Sequence, residues 1–130
     1  MSIRLVEKNS MEEKSVFIES FKKRTMQMAI KGIQLFRLMP TTEEARITGK
    51  QMIRSASSTA ANYRAACRAR SQAEFYSKMS IVIEECDETL FWPELIEESF
   101  IYSKPELHQL KREVMEILKV VSKARKTMSS

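Results

Sequence analysis

Pro40-Thr41-Thr42-Glu43-Glu44 ends one predicted helix and begins the next, and this junction sets how the chain is divided. Proline lacks an amide donor and disfavours helix in the residue before it, so a first helix that starts near Ser10 stops at Met39. The Thr41 hydroxyl can then accept a hydrogen bond from the Glu44 amide while the Glu44 carboxylate reaches back, which is a capping box. The segment therefore predicts a second helix that opens at Thr41.

Two more junctions carry the same pattern, a hydroxyl followed three residues later by Glu. The first is Ser71-Gln72-Ala73-Glu74, which predicts a third helix after a second that ends near Ala69. The other is Ser103-Lys104-Pro105-Glu106, which predicts a fourth helix after a third that reaches about Phe100. We expect the fourth helix to reach about Lys126, with residues 10–126 forming one bundle and residues 1–9 and 127–130 frayed.

Few residues in this chain are suited to tight turns, since its 130 residues include two Gly and three Pro. A β-sandwich or barrel needs a turn roughly every 8–12 residues, so the composition favours a few long helices. With 43% apolar residues, one domain of this length can bury a single core. Short connections make successive helices antiparallel neighbours. The predicted fold is all-α, an up-down-up-down antiparallel four-helix bundle.

Apolar residues at helical spacing predict which face of three helices packs into the core. Cys67 and Cys86 have no neighbouring Cys or His, and we expect both to be small core residues. The predicted core residues are Phe17, Phe21, Met28, Leu35 and Met39 in the first helix, Phe75, Met79, Val82, Cys86 and Leu90 in the third, and Leu107, Leu110, Val114, Ile117 and Val121 in the fourth.

Two helices carry further apolar residues that lie away from these core faces. A monomer rarely exposes so much contiguous apolar area, so the sequence predicts a homo-oligomer in which these residues form the interface. The alternative is that a bend at Pro93 widens the core face of the third helix. The interface candidates are Met26, Ile30, Ile33, Ile81, Trp92 and Leu95.

All of the net positive charge lies in residues 45–73, which hold six basic residues and no acid. The rest of the chain carries 16 Lys and Arg against 17 Asp and Glu. On a helix, five of the six cations share one face, opposite an apolar seam. Such a stripe is a candidate for binding polyanions, and its residues are Arg46, Lys50, Arg54, Arg64, Arg68 and Arg70.

Three interpretations of this stripe stay open. In the first, Arg46 and Lys50 pair with carboxylates near the end of the third helix (Glu94, Glu97 or Glu98), and the remaining cations are solvated. In the second, the arginines contact the phosphates of RNA or DNA, and a ring of subunits adds these contacts through avidity. In the third, the basic end of one subunit attracts the acidic end of another, so that the stripe serves assembly.

The sequence offers little for catalysis, for a cofactor or for a metal ion. His108 is the one histidine, no glycine-rich phosphate loop or zinc spacing occurs, and the carboxylates around Glu84 have no Glu-x-x-His pairs beside them. No run of 18 apolar residues and no signal-peptide core occur either. We expect a cytoplasmic protein without a cofactor, without contact to a membrane and without enzymatic activity.

A longer stretch resembles the signature of a known bacterial family. Residues 51–64 read Q-M-I-R-S-A-S-S-T-A-A-N-Y-R, followed by R-A-R-S-Q-A-E-F over residues 68–75 and by E-C-D-E-T-L-F-W over residues 85–92. This resembles the four-helix bundle proteins encoded in intervening sequences of 23S ribosomal RNA genes, sometimes labelled S23. The motif positions are occupied by Gln51, Arg54, Ser55, Asn62, Arg70, Ser71 and Glu74.

The resemblance implies a bundle that assembles as a ring, a pentamer, without established enzymatic activity. It also implies a fold similar to the accessory protein of diversity-generating retroelements, which binds nucleic acid and partners a reverse transcriptase. Ala65 stands where relatives commonly have Glu, which makes the window more basic, and Pro93 stands where they often have Leu, which leaves the number of subunits open. We therefore expect a nucleic-acid-binding homo-oligomer, accessory to a reverse transcriptase or another enzyme that processes RNA or DNA. The alternative is a protein-binding scaffold.

Overall fold

Four helices account for most of the chain in the computed structural model, which describes the backbone of residues 3–129 and the side chains of residues 11–126. No strand occurs within the described backbone, so the prediction of an all-α fold is confirmed. The helices are α1 (Ile3–Leu38), α2 (Glu43–Ala66), α3 (Gln72–Glu98) and α4 (Pro105–Ser129).

Each helix packs against its neighbours in sequence, and α4 closes the bundle by returning to α1. Among the described residues, the interface between α2 and α3 is the most extensive, and that between α1 and α4 is the smallest. Short connections between the helices make the packing antiparallel. The predicted up-down-up-down bundle is confirmed. The start of α1, the end of α2, the start of α3 and the end of α4 therefore meet at one end.

The first two predicted capping boxes lie at or next to the observed starts of α2 and α3. Thr42 caps α2 and accepts a hydrogen bond from the Ala45 amide at 3.3 Å, so the prediction that Thr41 is the cap is wrong by one residue. Ser71 caps α3 as predicted, and its hydroxyl accepts from the Glu74 amide at 3.1 Å. The Glu74 carboxylate completes this cap from the other side, because it accepts a bond from the Arg70 amide at 3.3 Å.

The fourth helix begins differently from the predicted capping box. Pro105 is its first residue, where the missing amide donor costs no helical hydrogen bond. The Lys104 carbonyl accepts from the amides of Leu107 and His108, at 3.0 and 3.3 Å. The Ser103 hydroxyl lies 3.3 Å from Nε2 of His108, so it contacts a side chain of the first turn.

The other helix ends differ from the expected ones by a few residues. α1 begins at Ile3 and α4 ends at Ser129, both beyond the predicted limits, whereas α2 ends earlier, at Ala66. The frayed segments expected at the termini are thus helical from residue 3 and up to residue 129, while residues 1, 2 and 130 lie outside the described residues.

Most of the predicted core is buried, with one clear exception. All five core residues predicted for α4 are at most 1% exposed, and Phe75 and Leu90 of α3 are partly buried against the same core. Phe17 is 53% exposed, so its predicted core position is wrong. The reason is that α1 extends past the end of α2. Phe21 packs edge-on against Tyr63 in the last turn of α2, with ring centroids 4.8 Å apart. Phe17 stacks on Phe21 one turn beyond that contact.

Small and hydroxylated side chains line the interface between α2 and α3. Ser55, Thr59 and Thr89 are fully buried. Each donates its hydroxyl hydrogen bond to a backbone carbonyl of its own helix, at 2.7–3.1 Å. The Thr59 and Thr89 hydroxyl oxygens also lie 3.4 Å apart across the interface. Because these polar groups are satisfied, their burial carries little penalty and the two helices can approach closely.

Gly49 of α2 lies directly against the Phe36 side chain of α1. A Cβ atom at this position would overlap the Phe36 ring, with Cε2 at 2.9 Å. Gly32 differs, because a Cβ there would meet Ala56 Cβ at an ordinary 3.8 Å.

We expect Gly49→Ala to destabilise the protein by about 1–2 kcal/mol, because overpacking against Phe36 outweighs the gain of about 1 kcal/mol in helix propensity. The matched control Gly32→Ala should stabilise it by about 0.5–1 kcal/mol. Urea denaturation of both variants measures the change in the free energy of unfolding. Equal gains in stability would show that the Phe36 ring moves aside at little cost.

Phe100 ends α3 in a left-handed backbone conformation, with φ of 62°. Its amide bonds to the Glu97 carbonyl and the Ile101 amide bonds to the Ile96 carbonyl, both at 3.1 Å. This pair of bonds is a Schellman motif, whose left-handed position usually holds glycine. The Phe100 side chain is 92% exposed, so it gains little from packing.

Phe100→Gly should therefore stabilise the protein by about 0.5–1 kcal/mol, since glycine removes the steric cost of the left-handed backbone. Phe100→Ala keeps a Cβ atom and should change stability by less than about 0.5 kcal/mol. Thermal unfolding of the two variants separates the backbone effect from the loss of the ring. A loss of stability in both would mean that the exposed ring packs against something.

Candidate nucleic-acid interface

The basic segment is divided between a helix and a connection. Arg46, Lys50, Arg54 and Arg64 lie on α2, which ends at Ala66. Arg68 and Arg70 therefore lie in the connection to α3. Arg68 was predicted to lie on the second helix, which ends three residues earlier than expected, whereas Arg70 was expected beyond the end of that helix. The Arg68 amide bonds to the Ala65 carbonyl at 3.0 Å, so the chain makes a tight turn as it leaves the helix.

Arg54, in the middle of the stripe, is bound to two carboxylates of α3. Its guanidinium donates to Glu85 Oε2 at 3.2 Å and to Glu88 Oε2, and its Nε donates to Gln51 Oε1 at 3.0 Å. The Glu88 carboxylate raises the pKa of Arg54. This pairing was not predicted from the sequence, and it makes Arg54 a link between α2 and α3.

Arg46 and Lys50 are exposed near the start of α2. Among the side chains of residues 11–126, no carboxylate oxygen lies within the 4.0 Å limit of an ion pair with either of them, so the predicted pairing with the end of α3 is not observed. Glu97 instead faces α4, where its carboxylate lies 2.8 Å from His108 Nε2 and 3.5 Å from Lys111 Nζ.

Arg64, Arg68 and Arg70 are exposed at the end of the bundle where α2 finishes and α3 begins. In the described part of the chain, none of their guanidinium groups lies within 4.0 Å of a carboxylate. We call this end of the bundle the basic end, because the topology also brings there Lys14, Lys22 and Lys23 of α1, Lys78 of α3, and Lys119, Lys123, Arg125 and Lys126 of α4.

Some of the positive charge toward the basic end is already neutralised. Lys22 pairs with Glu19 at 2.8 Å and Lys119 pairs with Glu116 at 3.6 Å. Arg24 of α1 binds Glu113 of α4 through Nε at 2.7 Å. This bond lowers the pKa of Glu113 and raises that of Arg24. In the α2–α3 connection, by comparison, the exposed guanidinium groups of Arg68 and Arg70 have no partner among the described carboxylates.

The candidate interface residues differ in exposure. Met26, Ile81 and Leu95 are 48%, 38% and 37% exposed. Ile30 and Ile33 are half-buried. Trp92 packs against the core and contacts Phe91 edge-on, with ring centroids 5.0 Å apart. Other exposed apolar residues were not predicted from the sequence, and they include Leu38, Ile47 and Phe91, which are 50–56% exposed.

Ser103, His108 and Glu97 lie together but do not form a catalytic triad. The Ser103 hydroxyl and the Glu97 carboxylate both contact the same nitrogen, Nε2 of His108. A triad needs the nucleophile on one ring nitrogen and the acid on the other. Among the described residues, no group of three or more His, Cys, Asp or Glu is placed to hold a metal ion.

Neither cysteine has the surroundings of a reactive thiol. Cys86 is buried and Cys67 is half-buried, and both are free thiols. Burial raises the pKa of both thiols, that of Cys86 to about 12, so they stay protonated near neutral pH. Within the described residues, none of the helices has the length and apolar character needed to cross a bilayer.

Fold and surface together define a class: small antiparallel helical bundles with a basic end. Residues 20–123 match the model of the family described as 23S rRNA-intervening sequence protein, and the chain belongs to that family. It is similar to the crystal structure of a protein of unknown function from the S23 ribosomal protein family of Bacteroides thetaiotaomicron. The TM-score is 0.74 and the identity 27%, over 81% of this chain and 97% of the other. No curated protein matches the sequence.

We expect Arg24→Gln to lower the free energy of unfolding at pH 7 by up to about 1 kcal/mol, because the pair with Glu113 is partly exposed. The folded-state pKa of Glu113 lies below its usual 4.5. The stabilisation is therefore present above that value and is lost as the pH falls through the folded-state pKa. In urea denaturation from pH 7 to pH 3, the free energies of unfolding of the variant and the parent should converge as the pH falls. The control Arg112→Gln, at an exposed site of α4, should leave the pH dependence of stability unchanged.

Proposed function

We propose that this protein is a non-catalytic nucleic-acid-binding bundle that contacts phosphates through Arg64, Arg68 and Arg70. The observation that carries the proposal is their exposure at the basic end without a carboxylate partner among the described side chains. Arg46 and Lys50, exposed farther along α2, form a second group of candidate contacts.

The chemistry of these side chains suits phosphates better than it suits a particular base sequence. Arginine presents a planar set of donors that binds phosphate oxygens in pairs. The α3 N-terminus lies beside the connection, and its partial positive charge favours an anion there. Binding of this kind depends on counterion release, so it is salt-sensitive and tolerant of sequence. Both RNA and DNA satisfy these requirements.

Arg54 has a different place in the proposal, although it belongs to the same stripe. Two carboxylates of α3 already bind its guanidinium, and a phosphate would have to displace them. We therefore assign Arg54 to holding α2 against α3, which keeps Arg64 and the connection in position.

Self-assembly is the second part of the proposal. Exposed apolar side chains on α1 and α3, Met26, Ile81 and Leu95, support an interface with further copies of the chain. In a ring such as the pentamer that the sequence resemblance implies, the basic end would recur around the assembly, and several weak phosphate contacts would add through avidity. Such a ring suits an accessory to a reverse transcriptase or another enzyme that processes RNA or DNA.

The test combines Arg64→Glu, Arg68→Glu and Arg70→Glu in one variant. We expect this variant to lose more than about tenfold in affinity for RNA and for duplex DNA at moderate salt. Helicity and oligomer size should be unchanged, because all three side chains are exposed. For duplex DNA, the salt dependence of log K should weaken by about 0.9 for each phosphate that is no longer neutralised. Fluorescence anisotropy titrations at several salt concentrations measure affinity and slope, and light scattering measures the assembly.

A matched control carries the same change of charge in the other half of the bundle, with Arg37→Glu, Lys104→Glu and Arg112→Glu. All three positions are exposed. The control should keep most of the affinity if binding depends on the basic end and not on net charge alone. A parent protein that binds neither RNA nor DNA at low salt would contradict the proposal and favour the protein-binding scaffold. Loss of assembly in the first variant would instead place the arginines between subunits.

A further inference from the structure

A groove between α3 and the last turns of α4 lies at the basic end, apart from Arg64, Arg68 and Arg70. Its volume is about 300 Å³. Pockets for small organic ligands begin at roughly this size, so the groove has room for one small ring system. The residues that line it are Tyr76, Ile83, Ser122, Arg125 and Lys126.

The walls of the groove combine an aromatic ring with a planar cation. The guanidinium carbon of Arg125 lies 5.3 Å from the centroid of the Tyr76 ring, which is within the range of a cation–π interaction. This contact holds the long arginine side chain in place. Ile83 adds an aliphatic wall, and the Ser122 hydroxyl can both donate and accept a hydrogen bond.

These surfaces fit a nucleobase, because the groove offers an aromatic ring, a guanidinium plane and an aliphatic side chain together. Unpaired bases stack on tyrosine rings and on arginine guanidinium planes. A base within a duplex cannot offer its face to such a groove unless it leaves the stack.

We propose that this groove binds an unpaired base, so that the protein prefers single-stranded nucleic acid over duplex. The inference rests on the phosphate-binding function proposed for the basic end and names its substrate class. Tyr76 is five residues beyond the Ser71 cap, which places it about 8 Å along α3 from the connection that holds Arg68 and Arg70. One strand can therefore place its backbone on the arginines and a base in the groove.

The experiment compares single strands of roughly 12 nucleotides, in RNA and in DNA, with a duplex of equal length. Tyr76→Leu keeps apolar bulk but removes the ring, and it should lower the affinity for single strands about tenfold while changing the affinity for duplex less than about twofold. Arg125→Lys keeps the charge but removes the planar guanidinium group, and it should also lower the affinity for single strands. Tyr76→Phe retains the ring and should bind like the parent.

A single 2-aminopurine in the strand reports base stacking directly, through a fluorescence change that the parent should show and Tyr76→Leu should lose. Arg112→Lys, at an exposed position elsewhere on α4, is the matched control for Arg125→Lys. If Tyr76→Leu fails to fold, the 2-aminopurine signal of the parent and the Arg125→Lys titration decide the matter.

The outcomes separate the two proposals. A parent that binds no nucleic acid overturns both. A parent that binds, with Tyr76→Leu either neutral or equally harmful to single strands and duplex, overturns the base-binding groove and leaves the phosphate contacts standing. Loss of single-strand binding in Tyr76→Phe would make the hydroxyl the recognising group, which also overturns stacking.

Discussion

The close packing of α2 against α3 is the constraint on which the rest of the structure depends. α2 can lie close to α3 because Ser55 and Thr59 are small and their buried hydroxyl groups are bonded to backbone carbonyls. At the surface, Arg54 joins the two helices through Glu85 and Glu88. Since this is the largest interface in the bundle, it fixes where the connection with Arg68 and Arg70 emerges. Packing chemistry in the core thus sets the position of the charges.

The number and order of the helices could be predicted because caps and breakers act locally. The exact ends could not, since two threonines adjoin at the start of α2: the position of Glu44 favours Thr41 as the cap, whereas Thr42 is the cap in the structure. Phe17 shows the same limit: helical periodicity assigns it to the core. Whether a partner lies opposite it depends on where α2 ends, at Ala66.

The candidate site was visible in the sequence as a charge pattern, but not as a set of contacts. Residues 45–73 contain no acid, and this identifies the basic surface without any structure. Arg54 and Glu85 lie 31 residues apart, and their pairing follows from the register of α2 against α3, which composition does not encode. The groove beside Tyr76 was missed for a related reason, because its Arg125 lies on a helix that is not next to the basic segment in sequence.

The two kinds of charge in this bundle respond differently to salt, and this links folding to binding. Ion pairs such as Arg24 with Glu113 join groups already in contact, so salt screens them less than it screens exposed charges. Arg64, Arg68 and Arg70 instead face solvent, where salt weakens any attraction to a polyanion over about 10 Å at 0.1 M. Mutual repulsion among these cations opposes the folded state, and a bound polyanion relieves it. A ligand that binds only the folded bundle therefore stabilises it most at low salt, where its affinity is highest.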